Sequence, residues 1–219
     1  MGWFKTTLWT EVRAAGSGDA KASQSVVERY RPVVVAYLIK RGRRPDDAED
    51  LAQDVLVRLF TRGRLAAADR GLGRFRSYLL GVARNVLRES LRREQAQKRG
   101  GGQAPLSLAE LEIDPAQPES SDEAFDACWL EGLMSRALDR LQAGSPRHYD
   151  LLQRTLSGQT PAQIAAATER SAGSVRVDLH RARKKLGDAL RAEIATYAGS
   201  ASEQAEELAL IVAHLGQSL

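Results

Sequence analysis

Apolar residues recur every three or four positions along most of this chain, and we find no run of alternating β-branched residues of the kind that forms strands. Such spacing places the apolar side chains of each segment on one face of an α-helix. The pattern therefore predicts an all-α fold. The predicted helices span residues 21–41, 45–62, 75–99, 121–141, 146–157, 160–167, 171–198 and finally 202–215.

One stretch, residues 100–120, breaks this pattern with the sequence GGGQAPLSLAELEIDPAQPES. Its glycines and prolines indicate a linker rather than part of a core. We therefore predict two small helical domains, at 1–99 and 123–198, joined by a flexible acidic linker at 100–122 and followed by an acidic tail at 199–219. The tail admits two interpretations, a partner-binding segment or a frayed terminus, and fraying is favoured because chain ends are ordered only where something holds them.

Positive and negative charges are concentrated in different parts of the 219 residues. The net charge is +10 over residues 1–100, −7 over 101–143, +4 over 144–198 and −3 over 199–219. Two basic blocks indicate two contacts with a polyanion, although solvated lysine and arginine faces explain the charge equally well.

Composition excludes several other classes of protein. The one cysteine, Cys128, excludes an internal disulfide and a thiolate zinc site, and it suits a reducing compartment. His148, His180 and His214 lack the spacing of metal ligands, so we expect no metal or cofactor. No apolar stretch is long enough for a signal peptide or a membrane span, so we expect a cytoplasmic protein without a membrane partner.

The segment PDDAEDLAQDVLVRLF predicts a helix with an acidic face. At 100° per residue, Asp47, Asp50 and Asp54 lie close together on a face that differs from the apolar stripe, with Gln53 and Val57 beside them. Acidic residues near a helix start can merely complement the helix dipole, but Asp54 lies in the third turn and is poorly explained in this way. The face is therefore a candidate binding surface for a basic partner.

The segment GLGRFRSYLLGVARNVLRESLRREQAQKR predicts a basic helix. Its cations Arg84, Arg88 and Arg92 repeat every four residues, with Asn85 beside them. Such a line of like charges is unfavourable unless an anion satisfies it, and a nucleic-acid backbone is such an anion. Phe75 and Tyr78 lie at the start of this helix. Their rings either stack on unpaired bases or are ordinary core residues, and for Phe75 the core interpretation is at least as good.

The segment SGQTPAQIAAATERSAGSVRVDLHRARKKLGDAL predicts a helix-turn-helix. Thr160, Pro161 and Gln163 form the start of its first helix as a capping box, and Ser171 can cap the second. The second helix exposes polar and basic residues opposite its apolar stripe. A helix of this kind fits the DNA major groove, although an ordinary helical hairpin remains the alternative.

Taken in order, these motifs resemble bacterial RNA polymerase sigma factors of the extracytoplasmic-function group. The motifs DDAEDLAQDVLVRLF, GRFRSYLLGVARNVLRESLRR and SGQTPAQIAAATERSAGSVRVDLHRARKKL occur in the family's order and separation, over about residues 26–99 and 125–190. Each motif alone is weakly specific, whereas the ordered set is specific. The resemblance implies a two-domain all-α protein without the middle domain of larger sigma factors.

The resemblance further implies core RNA polymerase and promoter DNA as partners and no catalytic residues. The acidic helix is expected to dock on the β′ clamp helices through Asp47, Asp50, Gln53 and Asp54. The basic helix and the loop before it are expected to open and read the minus-ten element, with Asn85 in a pocket for an extruded base. The implied minus-ten contacts are Arg74, Phe75, Tyr78, Arg84, Asn85, Arg88 and Arg92.

The helix-turn-helix is expected, by the same resemblance, to bind the minus-thirty-five duplex and the β-flap. The implied DNA contacts are Ser171, Ser174, Arg176, His180, Arg181 and Lys184. The acidic linker is expected to pass through the polymerase cleft, where its charge resembles that of nascent RNA. An anti-sigma protein is a further candidate partner, because family members are often held by one.

The helix-turn-helix departs from the family pattern in its turn and on its second helix. Thr168, Glu169 and Arg170 stand where the family commonly has Leu-Gly-Ile, so two apolar positions and the turn glycine are replaced by polar residues. A side chain at a left-handed turn position costs about 1 kcal/mol. Asp178 stands where the family often has arginine, and a carboxylate near phosphates opposes DNA binding, although it can accept from cytosine.

Two other classes of function fit the sequence less well. A free-standing helix-turn-helix regulator recognises DNA without polymerase, but it has no use for the acidic helix. A nucleic-acid enzyme lacks support, because the sequence offers no paired-carboxylate, Ser/His/Asp or Cys/His set. We therefore predict a sigma factor that directs promoter recognition and DNA melting, and not an enzyme.

Overall fold

The computed structural model describes residues 14–61, 75–98 and 122–217, apart from 16 and 199. All regular structure in these residues is helical, which confirms the all-α prediction. The helices are α1 (Ala20–Lys40), α2 (Pro45–Thr61), α3 (Phe75–Lys98), α4 (Glu123–Gly144), α5 (Pro146–Leu156), α6 (Pro161–Ala167), α7 (Ala172–Tyr197) and α8 (Ala201–Gln217). Each lies within a few residues of its predicted span. None of these described helices is long and apolar enough to cross a bilayer.

The chain divides into two compact units, Met1–Gly132 and Leu133–Leu219. In the first unit α1 packs against α2, and α2 packs against α3. The apolar stripe predicted for α2 is buried, with Ala48, Val55 and Leu59 each fully inaccessible to solvent. This leaves the polar faces of these helices outside.

The first part of α4 belongs to the core of the first unit. Trp129 stacks on Tyr30 with ring centroids 5.4 Å apart, and Phe125 meets the edge of Tyr37 at 5.3 Å. Phe75, the first residue of α3, lies 4.9 Å from Tyr30 in the same cluster. These aromatic contacts attach the start of α4 to α1 and α3.

The division between the units therefore differs from the predicted domain boundary at residue 123. The prediction placed all of α4 in the C-terminal domain and Asp122 in the linker, whereas Asp122 is buried and residues up to Gly132 belong to the first unit. Helical periodicity identifies the apolar face of α4 but not the unit that covers it, which is the physical reason for the difference. Residues 100–121 of the predicted linker lie outside the described part.

The second unit contains the rest of α4 and helices α5 to α8. Leu151, Ile164, Val175 and Leu179 form one buried cluster that joins α5, α6 and α7. A second cluster joins α4, α5 and α7 through Leu141, Leu152 and Ala182. These contacts hold the two helices of the predicted helix-turn-helix against α5.

The acidic tail forms a helix that packs on α7, which differs from the favoured interpretation of a frayed terminus. Glu207 is buried and accepts a hydrogen bond from the hydroxyl of Tyr197 at 3.1 Å. Ile211 on the same helix is 6% exposed. The apolar face of α8 and this buried hydrogen bond explain why the segment is ordered.

Candidate binding surfaces

The acidic face of α2 is exposed to solvent. Asp47, Asp50, Gln53 and Asp54 all lie on the outside of the helix, on a face away from the buried stripe. Val57, beside them, is 51% exposed. The face thus combines carboxylates, an amide and an apolar side chain in the arrangement that the sequence predicted.

These four polar side chains make no hydrogen bond or ion pair with another residue in the described part of the chain. Glu49 on the same helix provides a contrast, because Arg31 lies 2.6 Å from its carboxylate. Carboxylates without a partner keep their full charge available to an incoming basic surface. This face can therefore bind cations of another molecule without first breaking internal ion pairs.

The exposed basic face of α3 consists of Arg88 and Arg92, with the half-buried Asn85 beside them. Arg88 donates a hydrogen bond to the side-chain oxygen of Asn85 at 3.2 Å. That bond orients the Asn85 amide next to a cation. The pair is suited to hold a phosphate and a base edge close together.

Arg84 differs from the expectation that it faces DNA. It is half-buried, and its guanidinium donates to the Asp122 carboxylate at 3.1 Å. Arginines four positions apart were expected to share one exposed face, but the start of α4 covers this end of it. Arg84 therefore serves the protein interior, and the exposed cations of the predicted line are Arg88 and Arg92.

Phe75 and Tyr78 also differ from the expected minus-ten contacts. They are 2% and 8% exposed, and Phe75 lies in the aromatic cluster of the first unit. Rings buried in this way offer no face on which an unpaired base can stack. The core interpretation, which the sequence left open, applies to both residues. Arg74 lies outside the described residues.

A buried carboxylate, which sequence reasoning missed, joins three segments of the first unit. Asp122 Oδ2 accepts from the Tyr37 hydroxyl at 3.0 Å, from Arg84 at 3.1 Å and from Arg41. Its Oδ1 accepts from the backbone amides of Ala124 and Phe125, and so caps α4. The cap was recognisable from the sequence, because an aspartate precedes a helix, but its long-range partners were not.

Ionisation of Asp122 is favoured strongly by these donors. Burial opposes the charged form, but the hydrogen bonds from Arg41, the Phe125 amide, Tyr37 and Arg84 outweigh it and lower the pKa of Asp122 to about 2. Burial and the neighbouring carboxylate raise the pKa of Tyr37 in turn. The cluster is therefore a charged, fully hydrogen-bonded anchor at physiological pH.

Both helix starts of the predicted helix-turn-helix have the expected caps. The hydroxyl of Thr160 accepts from the Gln163 amide, while the Gln163 side chain accepts from the Thr160 amide at 2.8 Å, so the capping box is complete. Ser171 accepts from the Ser174 amide at 3.1 Å. Glu169 has a φ of 52°, so a non-glycine residue does occupy the left-handed position of the turn.

The second helix, α7, exposes the predicted DNA contacts. Those residues, all on the surface, are Ser171, Ser174, Arg176, His180, Arg181 and Lys184. Val177 lies among them and is 51% exposed. The face thus offers cations, hydroxyls, an imidazole and an apolar side chain within a few turns of the helix start, the combination that a major-groove helix uses.

Asp178 is buried, whereas a carboxylate on a DNA-binding surface is expected to be exposed to solvent. It is 8% exposed and accepts hydrogen bonds from Arg170 at 2.5 Å and Arg147 at 2.7 Å. The hydrogen bond from Arg170 holds the pKa of Asp178 below its ordinary value, although partial burial opposes this. Two of the residues that depart from the family pattern, Arg170 and Asp178, therefore form one ion pair.

Two family models match this chain. Sigma-70 region 2 matches residues 26–97, which contain α2 and most of α1 and α3. Sigma-70, region 4 matches residues 151–186, which contain α6 and the first part of α7. Helix α8 lies outside both matches, as does α4.

Similarity to individual proteins identifies the family more precisely than the two family models do. The ECF RNA polymerase sigma factor SigD of Mycobacterium bovis is 30% identical over 181 residues, which is 81% of this chain and 81% of the relative. The same figures hold for SigD of two Mycobacterium tuberculosis strains. The chain belongs to the ECF RNA polymerase sigma factors. It is a sigma factor that directs promoter recognition in transcription initiation, with core RNA polymerase and promoter DNA as its partners. The free-standing regulator is not favoured.

Proposed function

We propose that this ECF sigma factor docks on core RNA polymerase through the acidic face of α2, with the β′ clamp helices as the receiving surface. The observation that supports the proposal is the set of exposed side chains Asp47, Asp50, Gln53 and Asp54, which have no partner in the described part of the chain. Unpaired carboxylates gain most from a basic partner, because no internal bond is lost. Val57 adds apolar contact area at the edge of this face.

The minus-ten element of the promoter is the proposed ligand of the exposed face of α3. Asn85 takes an extruded base, and Arg88 and Arg92 hold the backbone beside it. Extruding a base costs a few kcal/mol, so phosphate contacts and docking on the polymerase must offset that cost. Arg88 supports this role because it already orients the Asn85 side chain.

The minus-thirty-five duplex is the proposed ligand of α7. In this proposal the residues that meet base edges and phosphates are Ser174, Arg176, His180 and Arg181, with Lys184 further along the same helix. The exposed side of the helix-turn-helix and its intact caps support this proposal. The β-flap is the proposed polymerase contact of the second unit. The acidic linker, whose residues 100–121 are outside the described part, is proposed to lie in the polymerase cleft.

The protein acts, in this proposal, by binding alone and carries no catalytic group. It works in the cytoplasm, where the polymerase is. An anti-sigma protein is the proposed negative regulator, by analogy with the family.

In vitro transcription with core RNA polymerase and a random promoter library tests the proposed function. The full-length protein is expected to select a pair of elements near minus ten and minus thirty-five and to start transcription downstream of them. Transcripts that start at random positions, as with core enzyme alone, would contradict the proposal.

The Asn85→Ala variant tests the base pocket separately. It is expected to reduce open-complex formation on the selected promoter about tenfold while the affinity for closed duplex changes little, since only the extruded base loses its partner. Permanganate reactivity of unpaired thymines measures the first quantity and filter binding the second. Equal losses in both would assign Asn85 to general backbone binding instead.

A further inference from the structure

Three arginines from three segments of the second unit surround the Asp178 carboxylate. Arg147, at the start of α5, donates to Oδ2 at 2.7 Å, and Arg170, in the turn before α7, donates to the same oxygen at 2.5 Å. Arg181, one turn further along α7, lies 3.6 Å from Oδ1. We call these four residues the Asp178 cluster. One anion thus holds together three cations that repel each other without it.

The carboxylate is covered, while two of the cations remain open to solvent. The Asp178 side chain is 11% exposed, whereas those of Arg147 and Arg181 are both 66% exposed. A guanidinium has five N–H donors, so an arginine that gives one or two to a carboxylate still has others for a phosphate. The surface that the cluster presents is therefore positive, even though an aspartate lies at its centre.

The cluster also reaches the first turn of α7. Arg170 donates to the hydroxyl of Ser174 at 2.6 Å as well as to Asp178. Ser174 is one of the residues proposed to face base edges, and its amide is bound to the cap Ser171. Through Arg170, Asp178 therefore fixes the Ser174 side chain in the first turn of α7.

We propose that Asp178 is a positioning residue for upstream promoter binding, which assembles Arg147, Arg170 and Arg181 into one phosphate-binding surface. In this arrangement Arg147 is a backbone contact that lies outside the helix-turn-helix. Arginine suits the task because its planar fork binds phosphate oxygens in pairs. The inference rests on the proposed binding of the minus-thirty-five duplex by α7.

The direction in which one substitution changes the affinity for DNA distinguishes this role from simple repulsion. Asp178→Asn removes a negative charge from a surface near DNA. If the carboxylate only repels phosphates, the variant binds DNA more tightly than the wild type. If the carboxylate positions the arginines, the variant binds more weakly, because the three guanidinium groups lose their common partner and separate.

The test uses full-length protein in holoenzyme and the upstream half of the promoter duplex that wild-type holoenzyme selects from a random library. Asp178→Asn and Arg147→Ala are each expected to weaken binding of this duplex about fivefold to tenfold. Arg147→Ala should also make the negative slope of log K against log[salt] shallower by about 0.9, the value for one lost phosphate contact. The double variant should lose less than the product of the two effects, because both act on one surface.

Two further variants serve as controls. Asp178→Glu keeps the charge and should recover much of the affinity that Asp178→Asn loses. Arg140→Ala removes an arginine that is also exposed and also paired with a buried carboxylate of this unit, that of Glu193 at 3.0 Å. Arg140 is outside the cluster, so its removal should leave duplex binding unchanged.

Equal or tighter binding by Asp178→Asn, or an unchanged salt slope for Arg147→Ala, would overturn the inference. The Arg147 side chain is 66% exposed, so Arg147→Ala still tests the phosphate-binding surface if Asp178→Asn fails to fold. Wild-type holoenzyme that does not retain the upstream duplex at all would overturn the proposed role of α7, and the inference with it. Normal wild-type binding with unaffected variants overturns the inference alone.

Discussion

Single carboxylates in this protein act in opposite ways, according to whether neighbouring residues neutralise them. Asp50 and Asp54 are exposed and unpaired in the described residues, so their charge is available to another molecule. Asp122 is buried and accepts from two arginines and a tyrosine, so its charge serves the interior. The same side chain is thus open to another molecule in one place and a structural anchor in the other.

Asp122 should make the stability of the first unit depend on pH in the acidic range. Its pKa in the folded state, about 2, lies below the ordinary 3.8, so the ionised form favours folding. The stabilisation is complete above about pH 5 and is lost as the pH falls from about 5 towards 1. Asp122→Asn is therefore expected to lower the free energy of unfolding by about 2 kcal/mol at pH 7 and by much less at pH 2.

Urea unfolding followed by circular dichroism at the two pH values measures this effect. Asp139→Asn, at an exposed position on the same helix, is the control and should change little. An equal loss for Asp122→Asn at pH 7 and pH 2 would show that the charge is not what stabilises the unit.

Glu169 carries a second prediction at this scale. Its φ of 52° is unfavourable for a residue with a Cβ and favourable for glycine. Glu169→Gly should therefore raise the melting temperature of the helix-turn-helix, corresponding to a gain of up to about 1 kcal/mol. Glu169→Ala keeps the Cβ and should give no gain. A lower melting temperature for the glycine variant would contradict the turn geometry.

At the scale of helices, α4 shows which part of the fold the sequence predicts and which part it does not. Helix spans and caps follow from residues close in sequence, and both starts in the helix-turn-helix were predicted correctly. The side-chain partners of Asp122, and Arg147 beside Asp178, come from distant segments, so no local pattern indicates them. For the same reason the hydrogen bond between Arg84 and Asp122 was not foreseen.

The exposed surfaces were more predictable than the buried polar contacts. The acidic face of α2 and the polar face of α7 follow from helical periodicity, because a side chain opposite an apolar stripe has to face outward. Burial of a charged residue depends on a second element that periodicity does not specify. The binding residues assigned from these faces remain predictions about function, even where their exposure matches.

Trp129 tests the assignment of the first half of α4 to the first unit. It is fully buried and stacks on Tyr30, so Trp129→Ala should cost about 3–5 kcal/mol. Hydrogen exchange of the full-length protein should then show faster exchange in α1 and α3, which line the cavity. Trp129→Phe keeps most of the aromatic volume and should have a smaller effect. Unchanged exchange in α1 and α3 would place Trp129 outside that core.

At the scale of the whole molecule, surfaces of opposite charge have different proposed partners. The net charge is +10 over residues 1–100 and +4 over 144–198, yet three exposed carboxylates of the first block, Asp47, Asp50 and Asp54, are gathered on one face of α2. A basic protein that must bind both DNA and a polymerase needs surfaces of opposite sign, so that one partner does not occupy the other's site. In the proposed function, the acidic face is the surface through which this sigma factor binds the polymerase, separate from its DNA-binding faces.

The most direct test of this account is the affinity of the full-length protein for core RNA polymerase after charge reversal on α2. Asp50→Lys with Asp54→Lys should weaken the complex about a hundredfold, because two desolvated charge pairs turn repulsive, while circular dichroism stays unchanged. Asp139→Lys with Asp188→Lys makes the same change of net charge at exposed positions elsewhere and should bind normally. Wild-type affinity in the Asp50/Asp54 variant, or equal loss in both variants, would contradict docking through this face.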